Sequence, residues 1–390
     1  MTTIAPSVVV DHRRFRAVFA YGLLAIIALV MVAYRVQSTL AGGHLYQTAD
    51  WLINYSAGFV RRGLFGEIFL ALAPTGQAGL WVLFTVQTLL YAVVFAFGVW
   101  FVRRHDFSWS SIALACGPAA IGFFAWDPQA SARKEVLAYI ALALLVWSVT
   151  SVGRRGAVLL PLGALVFFAV GVFSWEATVL FLPAIAYLLF RPGEAARFRR
   201  WLTVAFAVVG GVGLALAFLS DRSPQAAATI CASVRDHGFT AKDLCSGAID
   251  WLQMSMIDGI QGVVGSFPLF TGYLPLVVLA ALPIVLTPWA RRNVLWVILI
   301  AGAFVPLMVI AQDEGRWISS IVMALFFCIA VRPVQEATSR AWTWIGAVLY
   351  TTLWGIPVWL PADYAAPWPW LGLVKTLGAV ATDLVAFVMR

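Results

Sequence analysis

Four short stretches of this chain place charged side chains where the flanking sequence is soluble in lipid. The first, 50–67, holds Asp50, the adjacent pair Arg61 and Arg62, and Glu67, with Gly58, Gly63 and Gly66 among them. The second is Arg133-Lys134-Glu135. The third is the lone Glu176 inside Phe173-Ser174-Trp175-Glu176-Ala177-Thr178, and the fourth is Asp313-Glu314-Gly315-Arg316-Trp317. Charge held so close to a membrane is costly and by default marks a functional site.

The residue types suggest which chemistry. Arginine presents a planar fork of donors that matches phosphate oxygens, and glycine lets backbone approach a bulky anion. Arg61 and Arg62 precede 64–73, which is expected to form a short helix, too short to span and lying along the interface; free N–H groups at a helix start also favour anions. The competing reading pairs the two arginines with Asp50 and Glu67, or gives them to lipid headgroups. Arg133 and Lys134 would serve the same anion, with Glu135 orienting them, although an acid in the first helical turn also suits the helix dipole. Glu176, among apolar residues, suits proton transfer or a buried pair with Arg133 or Arg316. In 313–317, two carboxylates, a glycine, Arg316 and a sugar-stacking Trp317 make a glycan site; a capped turn would use Asp and Gly in the same way.

The elements that must position these groups are membrane helices. Hydrophobic residues make up 62% and charged residues 11% of the 390. A soluble protein carries about 25% charged residues, so this chain cannot clothe a water-facing surface. The fold class is therefore all-α: a polytopic integral membrane bundle in a single transmembrane domain over 1–390. The apolar runs are about 17–36, 80–102, 108–126 and 136–152, then two within 158–190 that meet near Glu176, then 201–219, 273–289, 294–311, 317–331 and 341–360. A weak last run carries Lys375 and Asp383. That gives 11 or 12 helices, an outer loop at 38–79 containing the interfacial helix, and a long outer loop at 220–271. The first run is long enough to span and is followed by Arg35 rather than a small-residue cleavage site, which makes it a signal anchor.

Alternation from a cytoplasmic N-terminus sorts the charges. Arg103-Arg104, Arg154-Arg155, 191–200, Arg291-Arg292 and Arg332 all fall inside, as the positive-inside rule expects. The joints that mix acids with bases fall outside. The formal charge of +8 is thus accounted for by topology and not by nucleic acid. Cys231 and Cys245 lie in the long outer loop, where oxidation is permitted, and are expected to form a disulfide. Cys116 and Cys328 fall within spans as apolar fillers. His12, His44, His105 and His237 are scattered without metal-ligand spacing, and no phosphate-binding loop or serine-elbow motif occurs. No cofactor or metal is called for.

The runs Asn54-Tyr55-Ser56-x-Gly58-Phe59-Val60-Arg61-Arg62-Gly63-Leu64-x-Gly66-Glu67, Arg133-Lys134-Glu135 and Asp313-x-Gly315-Arg316-Trp317 resemble bacterial multispan proteins of surface-polysaccharide pathways. They look like Wzy/EpsG-like glycan polymerases and, more distantly, GT-C-type glycosyltransferases. The resemblance implies a polyprenyl-pyrophosphate-linked glycan donor used at the outer leaflet of a bacterial plasma membrane. It implies membrane lipid and other envelope-glycan assembly proteins as partners. Arg61, Arg62, Arg133 and Arg316 would bind the pyrophosphate. Asp50 stands where the GT-C catalytic acid residue stands, but the doubled acidic motif is absent, so Glu176 and Asp313 remain candidate bases. The rival class is a transporter or flippase for lipid-linked glycan or another anionic solute. It would place ionisable groups near the bilayer midplane on broken helices in related halves, whereas here they gather at one face.

Overall fold

The computed structural model describes residues 12–127, 131–150, 154–190, 196–220, 222–266 and 272–358, and then 372–373, 375–378 and 382. The joint at 128–130, the start of the basic loop at 191–195, the outer turn at 363–370 and most of the last apolar run, Asp383 included, lie outside the described residues. Helices joined by turns account for the described residues, with no β-strand among them.

Four helices are long and apolar enough to cross a membrane: His12–Leu40, Gly76–Arg104, Gly156–Ser174 and Arg197–Leu219. At 1.5 Å per residue even the shortest reaches about 28 Å, the thickness of a hydrocarbon core. Shorter apolar helices run over Glu135–Thr150, Tyr273–Val285 and Val294–Ile310, and a further one over Glu314–Ala330. Glu135–Thr150 is apolar on every side, which predicts a helix surrounded by others. The structure places it centrally, buried over most of its length and packed against 76–104, 154–174, 182–189 and 314–330.

The apolar run at 108–126 is not one helix. Trp109–Cys116 ends before Gly117-Pro118, and a single further turn forms at Phe123–Trp126. Proline removes a donor, and a Cβ on Gly117 would lie 2.6 Å from the Ala113 carbonyl oxygen and 2.8 Å from the Tyr350 ring. The break is tolerated because the segment is buried against protein and not lipid. At the expected turn near Glu176 the long helix Arg154–Ser174 stops and Trp175 is extended. The chain then returns through a 3-10 stretch, Glu176–Phe181, into the helix Leu182–Leu189.

Charges segregate to two ends of the bundle. At one end Arg13 pairs with Asp106 at 2.6 Å, His105 faces the Arg332 carbonyl at 3.4 Å, and Arg292 lies 3.6 Å from Glu336. At the other end lie the residues of the four charged stretches. Over part of that end sits 224–253, where Cys231 and Cys245 are disulfide-bonded. This cap is pinned to the bundle by Ala248 N–H on the Leu45 carbonyl and Gly76 N–H on the His237 carbonyl, both 2.9 Å.

The disulfide closes a short loop, and chain-entropy reasoning gives about 3 kcal/mol of stabilisation for such a loop. Replacing both cysteines by serine is expected to raise amide exchange across 224–253 while the 135–150 helix keeps its protection. Unchanged exchange in the cap would show that its packing alone holds it.

Candidate functional site

The first outer loop is shaped by local sterics. Gly58 turns with φ +87°. Gly63 and Gly66 serve contact and not ligand approach: a Cβ on Gly63 would strike the Tyr55 ring at 2.3 Å, and one on Gly66 would strike the Ile53 carbonyl oxygen at 2.0 Å. The short helix Leu64–Leu72 can therefore lie directly on the 52–55 backbone. Glu67 is exposed and caps this arrangement by accepting the Tyr55 N–H at 2.9 Å, which places it outside the charged cluster.

Arg62 sits in the left-handed region at φ 71°, a conformation that costs a non-glycine residue about 1–2 kcal/mol. Its side chain holds Glu176 with a fork: Nε donates to Oε2 at 2.9 Å and Nη2 to Oε1 at 2.8 Å. Arg61 reaches the same carboxylate at 3.3 Å and donates to the Trp251 carbonyl of the cap at 3.2 Å. Glu176 is thus paired with Arg61 and Arg62, not with Arg133 or Arg316, and the arginine pair is not satisfied by Asp50 and Glu67.

The other charged stretches converge on the same place. Lys134, fully buried, donates to the Arg62 carbonyl at 3.0 Å and stands 3.9 Å from Asp50. Arg133 lies 3.9 Å from Asp313 and over the Tyr46 ring. Arg316 bonds Glu135 and, at 2.9 Å, Asp313. Its guanidinium lies beside the Trp175–Trp317 pair, 5.2 and 5.1 Å from the ring centres. Trp317 is buried and stacked in parallel with Trp175, so its indole is not open to a sugar. Arg61, Arg62, Arg133, Lys134 and Arg316 therefore face Asp50, Glu135, Glu176 and Asp313 in one cluster. It grades from a rim, with Asp313 32% exposed, to a floor with Lys134 at 0%.

The pairing is uneven. Asp50 Oδ2, Arg61 Nε, Arg133 Nε and Glu135 Oε2 are buried without a hydrogen-bond partner among the described residues. Buried polar atoms are normally satisfied, so these four are the places where a ligand would find unused bonding capacity. Burial alone would raise the Asp50 pKa. Lys134, Arg133, Arg62 and Arg316 outweigh it and hold the carboxyl below its usual range. Burial lowers Lys134 to about 8, with Asp50 opposing. Burial and the neighbouring Arg62 bring Arg61 to about 10. His44, lowered to about 4 by burial and by Arg133 and Arg35, is neutral; its Nδ1 accepts the Tyr46 N–H at 3.1 Å.

Compared with family models, curated proteins and solved structures, the chain matches none.

Several residues that complete the site carried no sequence signal of their own. Trp175 walls Arg316, Tyr46 lies under Arg133, and Tyr91 accepts the Arg133 N–H at 3.0 Å. Glu314, by contrast, was one of the two carboxylates read in the fourth stretch, and it is buried with Oε1 unpartnered. Two polar intruders in otherwise apolar helices, Arg35 and Gln87, were the available clue.

Removing one member of a partly buried ion pair strands the other, at a cost of about 3 kcal/mol or more. Glu176→Gln is expected to lower the thermal midpoint of the purified protein, and adding Arg62→Gln should recover part of the loss. A double variant no more stable than Glu176→Gln would show that the two side chains are not energetically coupled.

Proposed function

We propose that this protein is an integral-membrane glycosyl-transferring enzyme that uses a polyprenyl-pyrophosphate-linked glycan donor at the outer leaflet, in cell-surface polysaccharide biosynthesis. The observation that carries this reading is the buried Asp50 carboxylate, faced by four cations drawn from three segments, with Oδ2 left without a partner. A ring of fixed guanidinium and ammonium groups is what a departing diphosphate needs, because charge develops there as the glycosidic bond breaks.

In this reading the acceptor hydroxyl attacks the anomeric carbon. The bond from that carbon to the pyrophosphate oxygen breaks, and the electron pair leaves with the lipid pyrophosphate. Arg133, Arg316 and Lys134 take the growing negative charge, with Arg61 and Arg62 at the rim. The hydroxyl proton passes to Asp50 Oδ2. A carboxylate whose pKa is held below its usual range is a weak base, which suffices because the attacking oxygen becomes acidic as its bond to carbon forms. Glu176 and Asp313, each hydrogen-bonded to arginine, are worse placed to accept a proton and instead fix the rim.

The membrane arrangement belongs to the same proposal. Eleven or twelve spans would complete the bundle around the four long helices. The end that carries Arg13, His105, Arg292 and Arg332 would face the cytoplasm with the N-terminus, leaving the cluster outside. The 64–72 helix exposes Ile68 and Leu72, at 48% and 81%, in keeping with a helix lying in the lipid interface. The bacterial plasma membrane is the setting this donor requires.

Purified protein in liposomes with a prenyl-pyrophosphate-linked oligosaccharide is expected to lengthen or transfer the glycan and release prenyl pyrophosphate. Asp50→Asn should lower that rate by about 100-fold or more without loss of donor binding. Movement of the glycan across the bilayer with no new glycosidic bond would instead establish a transporter.

The pH dependence of binding follows from Lys134. Its cationic form favours an anion, so donor affinity should be constant below about 8 and fall as pH rises through that value. Lys134→Arg, which stays charged, should abolish the fall, measured by titrating a prenyl pyrophosphate between pH 6.5 and 9.5. An identical fall in Lys134→Arg would assign it to another group.

A further inference from the structure

Behind the cluster lies a second layer of polar groups that neither the ion pairs nor the proposed chemistry uses. Arg35, near the end of the first long helix, is buried at 3% exposure, and among the described residues no carboxylate pairs with it. A buried charge without a counter-charge is expensive, and a neutral donor would be cheaper if only hydrogen bonds were needed. Its guanidinium donates to three neutral oxygens: Gln47 Oε1 at 3.3 Å, Gln87 Oε1 at 2.5 Å and Ser38 Oγ at 3.3 Å.

These bonds fix the sense of both amides. With each Oε1 turned toward Arg35, each Nε2 must face the other way. There Gln47 Nε2 donates to Ser131 Oγ at 3.0 Å, and Gln87 Nε2 donates to the Gln47 carbonyl at 2.8 Å and the Ala132 carbonyl at 3.4 Å. Trp51 Nε1 donates to the same Ala132 carbonyl at 2.6 Å, and the next N–H, that of Arg133, is held by Tyr91. Ala132 is left-handed at φ 57°, a conformation alanine does not hold unaided. The kink is what sends the two consecutive side chains apart, Arg133 toward Tyr46 and Asp313, and Lys134 toward Asp50 and the Arg62 carbonyl.

We infer that Arg35 is a positioning residue of the anion site: acting through Gln47 and Gln87, it clamps the 131–134 turn in the conformation that aims Arg133 and Lys134. Its uncompensated charge polarises the two amides and strengthens their bonds to the turn. The affinity arm of the test rests on the proposed donor; the structural arm does not.

The test compares wild type, Arg35→Gln, Arg35→Lys, Gln87→Met and Arg133→Ala, each as full-length protein in nanodiscs. Hydrogen exchange over 131–137 reads the turn directly. It is expected to accelerate about tenfold in Arg35→Gln and in Gln87→Met, and less in Arg35→Lys, while exchange over 140–148 stays at the wild-type rate. That last measurement separates a loosened turn from a misfolded bundle. The second readout is the dissociation constant of farnesyl pyrophosphate, which should rise on the order of tenfold in Arg35→Gln, the scale of outer-layer positioning effects. In an Arg133→Ala background the same change should add less than about twofold, because Arg35 then has less to position. Wild-type exchange over 131–137 in Arg35→Gln would overturn the inference, as would fully additive losses of affinity. If wild type fails to bind farnesyl pyrophosphate, the proposed donor falls, and the exchange result alone decides the role of Arg35.

Discussion

Everything at this end of the molecule depends on taking nine charged side chains partly or wholly out of water without leaving any isolated. A lone buried ion costs several kcal/mol, so the fold must bring four sequence-distant segments together at once or not at all. The fork between Arg62 and Glu176 is the principal tie. It spans 114 positions of sequence, locks the first outer loop onto the reversal at Trp175, and holds Arg62 in a backbone conformation it would otherwise avoid. Lys134 then lands on the Arg62 carbonyl, so the 131–134 turn is registered to the same tie. Arg316 closes the set by bridging Glu135 and Asp313 beside two stacked indoles.

Two non-glycine residues, Arg62 and Ala132, are held left-handed within this cluster, and each is over-determined by bonds on both sides. Strain of this kind persists only where the surroundings enforce it. The glycines are placed elsewhere: Gly63 and Gly66 let a short helix press onto Tyr55 and Ile53. Close packing supplies the rigidity, and the charged turns exploit it. A site built this way holds its donors in place before any ligand arrives, which is the condition for electrostatic stabilisation without reorganisation.

Much of this was legible in the sequence because lipid solubility is a strong constraint. The long apolar runs, the reversal at Glu176, the pairing of Cys231 with Cys245 and the gathering of Arg61, Arg62, Arg133, Lys134, Glu135, Glu176 and Arg316 with Asp50 all follow from where polar residues interrupt apolar ones. Partner choice did not follow. Glu176 could meet any of several arginines, and its pairing with Arg61 and Arg62 emerges only once the chain reverses at Trp175. Trp317 reads as a sugar platform because its type fits one; its burial against Trp175 is a tertiary outcome. The broken helix at 109–126 was hidden by its uniform apolarity, since hydropathy does not report whether a segment faces lipid or protein. Arg35 and Gln87 were visible as polar intrusions, but nothing local tells an intruder that binds from one that supports.

Five cations face four carboxylates in the cluster, which leaves one positive charge, and Arg35 behind the 131–134 turn adds another that no carboxylate among the described residues pairs with. In a low-dielectric setting an unbalanced positive charge is a standing cost to the empty protein and a standing attraction for an anion. Because exposure falls from Asp313 at the rim to Lys134 at the floor, an incoming anion would meet screened, solvated charge first and desolvated charge last. Its interaction strengthens with depth while its own shell of water is stripped. The unused donors on Arg61 and Arg133 lie along that gradient, so a ligand with two separated negative groups would satisfy both more completely than one with a single charge.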